Sequence, residues 1–515
     1  MIVTRRRFLT ATSASAAALA CPALSRTASR PVITHGVQSG DVSTGSGVVW
    51  ARADRAARME VEVSTSEGFA NLVGRAAIDA SPDTDFCAKA ALQNLPAGET
   101  LLYRVRFRDL ADVNGLSEPI VGRFRTAPLD RRDVSFVWSG DTVGQGWGID
   151  EARGGMRIYA AMQREAPDFF IHSGDTIYAD NPLRPDVPLP DGTVWRNLVT
   201  EEKSKVAETL DEFRGQWRYN LLDRNLLAFN REVPMLAQWD DHEVVDNWWP
   251  EKRLDADPRY REKSVAVLAA NASRAFHEYV PIGANPDEAR RVYRKVAYGP
   301  LLDVFFLDMR TYRAANGPNR EAEEGPGTVF LGPAQLDWLK RELKASRATW
   351  KVIAADMPLG LVVFDDFRTR SGSEAIAQGD GPPLGRELEF AGLLAWMKRE
   401  GIRNTVWLTA DVHYTAAHRY DPARAVFTEF HPFWEFVSGP LHAGTFGPNG
   451  LDPTFGPEVV FQKAPPPGQF NLSPAAGYQF YGHVRIDGRS EQMIVTLKDA
   501  GGASLWATTI DPVRG

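Results

Sequence analysis

Cysteine is nearly absent from this chain of 515 residues, which carries two, Cys21 and Cys87. Cys21 falls in an N-terminal stretch with the character of a leader. A mature chain that has lost it keeps one thiol, and an internal disulfide is excluded. Positive charge is also in short supply. Lysine and arginine number 59 against 66 aspartates and glutamates, a formal net charge of -7, which argues against a basic nucleic-acid-binding face, although a bound cation can reverse the sign locally. Beyond the leader no apolar run is long enough to cross a bilayer, and neither a solenoid repeat nor a disordered tract is visible. What is there, 43% hydrophobic and 24% charged, is an ordinary globular composition with length for two or three domains and a large core.

Residues 1–30 read as an export signal of the twin-arginine kind. Thr4-Arg5-Arg6-Arg7-Phe8-Leu9 is followed by an alanine-rich apolar stretch to Cys21 and then by small and polar residues. The twin-arginine translocation machinery carries folded proteins, often with a cofactor already inserted, so the signal hints at a metal and places the mature protein in the periplasm or outside the cell. Ala18-Leu19-Ala20-Cys21 is an imperfect lipoprotein box, its branched residue one place late; lipidation is the alternative fate. A cytosolic protein with a basic tail is the lesser alternative to export.

Residues 31–128 alternate in short runs, "SGVVWARA", "RMEVEVSTS", "LLYRVRFRD" and "IVGRFRTAP", separated by turn residues. Period-two patterning over some hundred residues predicts a β-sandwich of immunoglobulin or fibronectin type. From residue 129 to 515 the pattern becomes α/β. Strands are expected at Val134–Trp138, Phe169–His172, Met235–Trp239, Val304–Leu307, Val352–Ala355 and Val406–Leu408, and helices at Gly155–Arg164, Glu201–Asn230, Arg261–Tyr279, Pro333–Ala345 and Leu388–Arg399, with closing strands in the tail. Phe364–Pro383 and Phe430–Pro474 lack periodicity and read as long loops, functional or disordered. Within the second, Phe433, Trp434 and Phe436 either line an apolar pocket for a lipid or organic leaving group or pack in the core.

Polar clusters follow strand after strand: "FVWSGDT", "FFIHSGDTIYAD", "LAQWDDHEVVDN", "VFFLDMRTYR" and "VWLTADVHY". Ligands of α/β sheets gather beyond the carboxyl ends of strands, and ionisable groups crowded there are tolerated when solvent, a metal or a substrate takes up their charge. One "SGD" alone is a turn; five such clusters converging on one edge are a site.

In this order, behind a sandwich and a twin-arginine signal, these motifs resemble the PhoD alkaline phosphatases among the calcineurin-like metallophosphoesterases. The resemblance covers essentially the whole mature chain. It implies a four-layer αββα fold and phosphoester hydrolysis by a dinuclear, metal-activated hydroxide. Carried over motif by motif, it implies that Asp175 bridges two metals, that Asp141, Tyr178 and His413 complete one site, and that Asp241 and Asp411 form the other, with Asn247 as an additional oxygen ligand. It also implies an Fe3+ and Ca2+ pair, which suits a phenolate, carboxylate and imidazole site beside an all-oxygen one. The best-known members carry cysteine where this chain has Asp141, so the metal is in question and Zn2+ or Mn2+ are alternatives.

His242 is expected to act as an acid on the phosphoryl or leaving oxygen, with Asp240 orienting its imidazole, and Arg310 to offer a planar fork to phosphate oxygens. Arg157 is a weaker candidate for the same task. His172 reads as packing, and His418 and His442 have no assigned part. The expected substrate is a phosphate monoester, diester or both. The context "WSGDTVGQGWGID" also resembles secreted phospholipases D, which makes a phospholipid the alternative substrate; a non-catalytic metal-binding surface protein is the alternative of another class. Replacing Arg5 and Arg6 by lysine is expected to hold precursor in the cytoplasm, because the arginine pair is what the export receptor reads; fractionation and immunoblotting check this, and normal export would overturn the twin-arginine assignment.

Overall fold

The computed structural model describes residues 30–285 and 288–514; Arg5, Arg6 and Cys21, and with them all but the last residue of the expected export signal, lie outside them. Two sheets face each other. The larger has nine strands in the order Ser504–Ile510, Met493–Asp499, Phe480–Ile486, Val134–Ser139, Phe169–Ser173, Met235–Gln238, Ile33–Gly40, Gly47–Ala53 and Cys87–Leu92. The smaller has seven, ordered Arg294–Ala297, Leu302–Phe306, Trp350–Ala354, Thr405–Thr409, Phe433–Val437, Thr415–Tyr420 and Pro457–Lys463. Each has a parallel centre, built from Val134–Ser139, Phe169–Ser173 and Met235–Gln238 in one and from Leu302–Phe306, Trp350–Ala354, Thr405–Thr409 and Phe433–Val437 in the other.

The apolar residues dictate the stacking. Phe136, Trp138, Ile171 and Leu236 of the first sheet meet Val304, Val352, Leu408 and Phe436 of the second in one buried layer. The alternate residues, Val137, Phe170 and Ala237, turn outward under the helices Arg157–Arg164, Leu210–Asn220, Arg224–Glu232 and Val265–Tyr279. Phe305, Ile353 and Trp407 do the same on the other side, beneath Pro333–Ala345 and Glu387–Arg399. Strands buried on both faces need covering on both, and helix, sheet, sheet, helix is the result. The fold is the expected four-layer αββα arrangement behind an N-terminal β-sandwich.

Some sequence expectations change in detail. The single helix expected over 201–230 is two, Leu210–Asn220 and Arg224–Glu232. Asp223 stands between them and its Oδ1 accepts the N–H groups of Asn225 and Leu226, each at 2.9 Å, which starts the second helix afresh. Phe433–Val437 is a central strand rather than part of a loop. Phe433 stacks on Tyr420, and Trp434 stacks on Phe436 against Trp506, so these rings pack in the core and form no substrate pocket.

The sandwich is also continuous with the larger sheet. Its four-stranded sheet, Leu72–Ala80, Ala57–Ser64, Thr100–Asp109 and Ile120–Arg125, packs on Ile33–Gly40, Gly47–Ala53 and Cys87–Leu92 through Val37, Val49, Ala51, Ala90, Met59, Val61 and Val105. Those three strands continue the nine-stranded sheet, with Gly40 registered against Met235. Cys87 is buried in the outermost of them as a free thiol.

One close approach sets the inter-strand packing. The ring of Trp138 lies across Gly482 on the neighbouring strand, and a Cβ at 482 would stand 1.9 Å from its ring carbons. Gly482→Ala is therefore expected to lower the unfolding free energy by roughly 1–3 kcal/mol, the usual cost of overpacking, measured as a lower urea midpoint; an unchanged midpoint would show that Trp138 is free to move.

Candidate metal centre

Every acidic cluster begins where a strand stops. Val134–Ser139 runs into Asp141, Phe169–Ser173 into Asp175, Met235–Gln238 into Asp240 and Asp241, Leu302–Phe306 into Asp308 and Arg310, Trp350–Ala354 into Asp356, and Thr405–Thr409 into Asp411 and His413. Six parallel strands from two sheets thus deliver their polar ends to one place. The chain turns there sharply. Asp141, Asp175, Asn247, Asp411 and His413 all adopt left-handed backbone, with φ of 62°, 52°, 53°, 65° and 60°, a conformation that non-glycine residues seldom hold outside constrained sites. Gly174, at φ 102°, passes so close to the third strand end that a Cβ there would lie 2.4 Å from that of Asp240.

The ligating atoms fall into three overlapping groups. Asp141, Asp175 and His413 form one, Asp175, Asp241 and His242 a second, and Asp240, Asp241 and Asp411 a third, each with its atoms within 4.8 Å of one another. Asp175 is common to the first two and Asp241 to the last two. The Tyr178 hydroxyl lies 3.1 Å from Nε2 of His413 and completes the first group. Asn247 sits beside the second, its backbone N–H donating to Oδ2 of Asp241 at 2.6 Å and its side-chain amide to the carbonyl of Asp365 at 3.3 Å.

These residues fit a pair of cations. Both carboxylate oxygens of Asp141 are buried and have no hydrogen-bond partner, a costly state for a charged group unless something positive meets it. Burial, then the nearby Asp240, pushes the Asp141 carboxyl well above the usual carboxylate range, and burial does the same to Asp175 and Asp411. A cation takes the place of the proton that such groups otherwise hold. The His413 ring donates from Nδ1 to the carbonyl of Gly444, and burial lowers its pKa to about 4. It is therefore neutral, with its Nε2 lone pair turned to Asp141 and Tyr178, as a metal-binding imidazole must be.

The surroundings of His242 correct the sequence reading. Its Nδ1 is 2.8 Å from Oδ1 of Asp180, not of Asp240. Its ring stacks on Tyr178 at 4.3 Å between centroids, and its Nε2 faces Asp241 at 4.0 Å and Asp246 at 3.7 Å. Burial opposes a charged ring here, but Asp180, Asp241 and Asp175 outweigh it and raise the His242 pKa well above the ordinary value.

Arg310 is corrected too. It has no exposed surface on which to meet a phosphate. Its Nε donates to Oδ1 of Asp240 at 2.6 Å and lies 3.2 Å from Asp356, Nη1 donates to Glu374, and Nη2 lies 3.5 Å from Asp411. Arg313 joins Glu374 at 2.8 Å. This buried ion cluster forms the floor of the site. Three residues of it, Asp356, Arg313 and Glu374, were not singled out from sequence, nor were Asp180 and Glu243. Glu243 accepts the backbone N–H groups of Asp175, Thr176 and Asp240 at 3.1, 2.6 and 2.8 Å, tying the second strand end to the third. The readable signal for Asp180 was its place in "SGDTIYAD", five residues after Asp175; Glu374 lies in an irregular segment with no such signal.

The remaining histidines are placed as follows. His172 packs against Phe170 and shares a 2.7 Å hydrogen bond with Thr142. His418 pairs with Glu435 at 2.9 Å in the second sheet. His442 stands behind Asp141, its Nε2 3.0 Å from the carbonyl of Gly148.

A four-layer sandwich whose two sheets pool carboxylates, imidazoles and a phenol at their joined strand ends defines a metallophosphoesterase, a metal-dependent hydrolase of phosphoric esters. Comparison with known proteins gives the family. The PhoD-like phosphatase model matches residues 136–497 and the model of the PhoD-like phosphatase N-terminal domain matches residues 15–128, and the chain belongs to the PhoD-like phosphatase family. It is 25% identical over 460 residues to alkaline phosphatase D of Bacillus subtilis (strain 168), covering 84% of this chain and 72% of that one. Among solved structures, PhoD superposes with a TM-score of 0.68 at 21% identity over 94% of this chain and 90% of its own. A purple acid phosphatase from yellow lupin seeds shares the fold with a TM-score of 0.55 at 13% identity, over 94% and 74% of the two chains.

The two aspartates beside His242 are separable by experiment. Asp180→Asn is expected to keep the bound metal but lower turnover about 10- to 100-fold, the usual cost of a lost orienting carboxylate. Asp240→Asn is expected to show first as lower stability, by roughly 3–5 kcal/mol, because it strips a partner from buried Arg310. Turnover, metal content and urea unfolding of both variants check this; a silent Asp180→Asn would show that His242 needs no orienting carboxylate.

Proposed function

We propose that this metal-dependent phosphoesterase is an exported enzyme that hydrolyses phosphate monoesters, diesters or both, with an iron and calcium pair at the strand ends. The observation that supports it most is Asp141, whose two buried, unpartnered oxygens stand beside the neutral lone pair of His413. Asp141, Asp175, Tyr178 and His413 hold one cation, and Asp175, Asp241 and Asp411, with Asn247, the other. Bound there, the cations supply Lewis acidity, activation of water near neutral pH and neutralisation of the charge that spreads over phosphoryl oxygens during in-line displacement.

The chain's own residues supply the rest. Asp180 accepts a hydrogen bond from Nδ1–H of His242 and stabilises the imidazolium. Nε2–H of His242 donates to the phosphoryl oxygen or passes its proton to the departing alkoxide. Asp246, with 61% of its side chain exposed and 3.7 Å from Nε2, offers the recharging route from solvent. Once cations take up the charge of Asp175 and Asp241, Asp180 is the main anion left to hold the ring protonated. Arg310 acts through Asp240 and Asp411 as a positioning residue.

A phospholipid ester is the second reading. It draws support from Phe367, 84% exposed on the hairpin whose Asp365 carbonyl meets Asn247, and from Phe470, 72% exposed on the loop that Asn471 fastens to Trp147 and Gln145. Two bare rings at the rim suit a substrate presented at a lipid surface.

His242→Ala is expected to keep metal and fold yet lose roughly 10²- to 10⁴-fold in turnover, the usual contribution of a positioned acid, whereas Asp241→Ala loses metal along with activity. The loss in His242→Ala should be smaller for a nitrophenyl ester, whose leaving group needs little protonation, than for an alkyl ester. Metal analysis and a panel of monoester, diester and phospholipid substrates check this. Equal losses for good and poor leaving groups assign His242 to phosphoryl-oxygen binding instead. Full activity of His242→Ala on every ester would defeat the mechanism.

A further inference from the structure

A second polar recess lies behind the metal centre. It is a cleft of about 220 Å³ lined by Arg153, Arg157, Trp195, Leu441, His442 and Gln479, among others, and no carboxylate lines it. Two guanidinium groups therefore face a small space without an internal counter-charge. Arg153 is held in place, its Nη2 donating to Thr193 at 2.8 Å and its guanidinium lying 5.6 Å from the Trp195 ring centroid. Arg157 has no ion-pair partner among the described residues.

The nearest acids are already engaged. Asp150 lies 3.4 Å from Nε of Arg153, but it also accepts the backbone N–H groups of Arg153 and Arg196 at 3.1 and 2.9 Å. Asp223 accepts those of Met156, Asn225 and Leu226, each at 2.9 Å. Neither closes the space between the two arginines.

Gln479 adds a second, different demand. It is 2% exposed, and its Oε1 is buried without a hydrogen-bond partner while its Nε2 donates to the carbonyl of Ala443 at 3.4 Å. A buried amide oxygen left unpaired is costly and calls for a donor. The cleft thus asks for a small oxyanion that also carries an O–H group. Hydrogen phosphate has both; sulfate has no donor near neutral pH. The cleft also shares backbone with the metal centre, because the N–H groups of Leu441, His442 and Ala443 all donate to the carbonyl of Asp141 at 3.1 Å.

We propose that this cleft is a second oxyanion site, separate from the metal centre, that binds hydrogen phosphate between Arg153 and Arg157 with its O–H turned to Gln479. The assignment of phosphate as the reaction's own product rests on the monoester reading above; the binding itself does not.

Equilibrium dialysis of the metal-loaded protein against radiolabelled inorganic phosphate tests it. Wild type is expected to bind two phosphates per chain and Asp241→Ala, which has lost the metal centre, one. Arg157→Met, a change at an exposed side chain, should weaken the site that persists in Asp241→Ala by about 10- to 100-fold, as loss of a charged hydrogen-bond partner does. Sulfate should compete for that site at least about tenfold less well than phosphate. Absence of phosphate binding by Asp241→Ala, or an Arg157→Met change that leaves it untouched, overturns the site. Equal competition by sulfate overturns the part given to Gln479. Failure of the wild type to cleave any monoester defeats the product assignment and leaves the binding result standing, so the two failures are distinguishable.

Discussion

The structure depends on one electrostatic constraint: Asp141, Asp175, Asp240, Asp241 and Asp411 converge at the ends of strands where little water reaches them. Unpaired, carboxylates so placed cost several kcal/mol each, and they persist only because positive charge is brought to them. Arg310 brings part of it from beneath, through Asp240, Asp356 and Glu374. What it does not reach, Asp141 and Asp175 above all, is left for cations. The division is visible in the ion pairs. Arg310 and Arg313 reach Asp240, Asp356 and Glu374, whereas the buried oxygens of Asp141 meet no arginine or lysine and no hydrogen-bond donor.

That division also bears on the different parts proposed for His242 and His413. Both rings are buried and both are fixed through Nδ1, one by a carboxylate and the other by a backbone carbonyl. A carbonyl partner leaves the ring neutral, with a lone pair to give to a metal. A carboxylate partner favours the imidazolium, with a proton to give to an oxygen. In the proposed mechanism the difference between ligand and acid is set by one atom behind each ring.

Much of this was legible in the sequence because the physics is local. A short apolar run that stops at Gly-Asp or Asp-Asp-His is a buried strand meeting a polar edge, and five such stops in one chain announce a shared site. Direction was not legible. Asp240 is two residues from His242 and looked like its partner, yet successive side chains past a strand end diverge, and Asp240 turns to the second sheet while Asp180 reaches the ring across the loop. Arg310 suggested a phosphate fork because nothing in a sequence shows that Asp356 and Glu374 will enclose it. The helix break at Asp223 and the strand Phe433–Val437 were hidden for opposite reasons. A capping aspartate resembles any polar residue of an amphipathic helix, and a strand buried on both faces shows no alternation.

The N-terminal strands bear on the site more directly than a separate sandwich module would. Met235–Gln238 is four residues long and delivers Asp240, Asp241 and His242. On one side it pairs with Phe169–Ser173; on the other, Gly40 of Ile33–Gly40 registers against Met235. Without the N-terminal strands its outer edge would stand unpaired, and a short edge strand is poorly fixed in register. The junction is tight. A Cβ on Gly40 would fall 2.4 Å from the carbonyl oxygen of Met235 and 2.5 Å from that of Pro281, and Asp41 next to it holds Arg294 at 2.8 Å. Arg294 in turn donates from Nη1 to the carbonyl of Ala237, at 2.9 Å, within that same strand. The sandwich therefore acts on the metal centre through one strand's edge, and its part in the enzyme is to keep the third acidic cluster in register with the other strand ends.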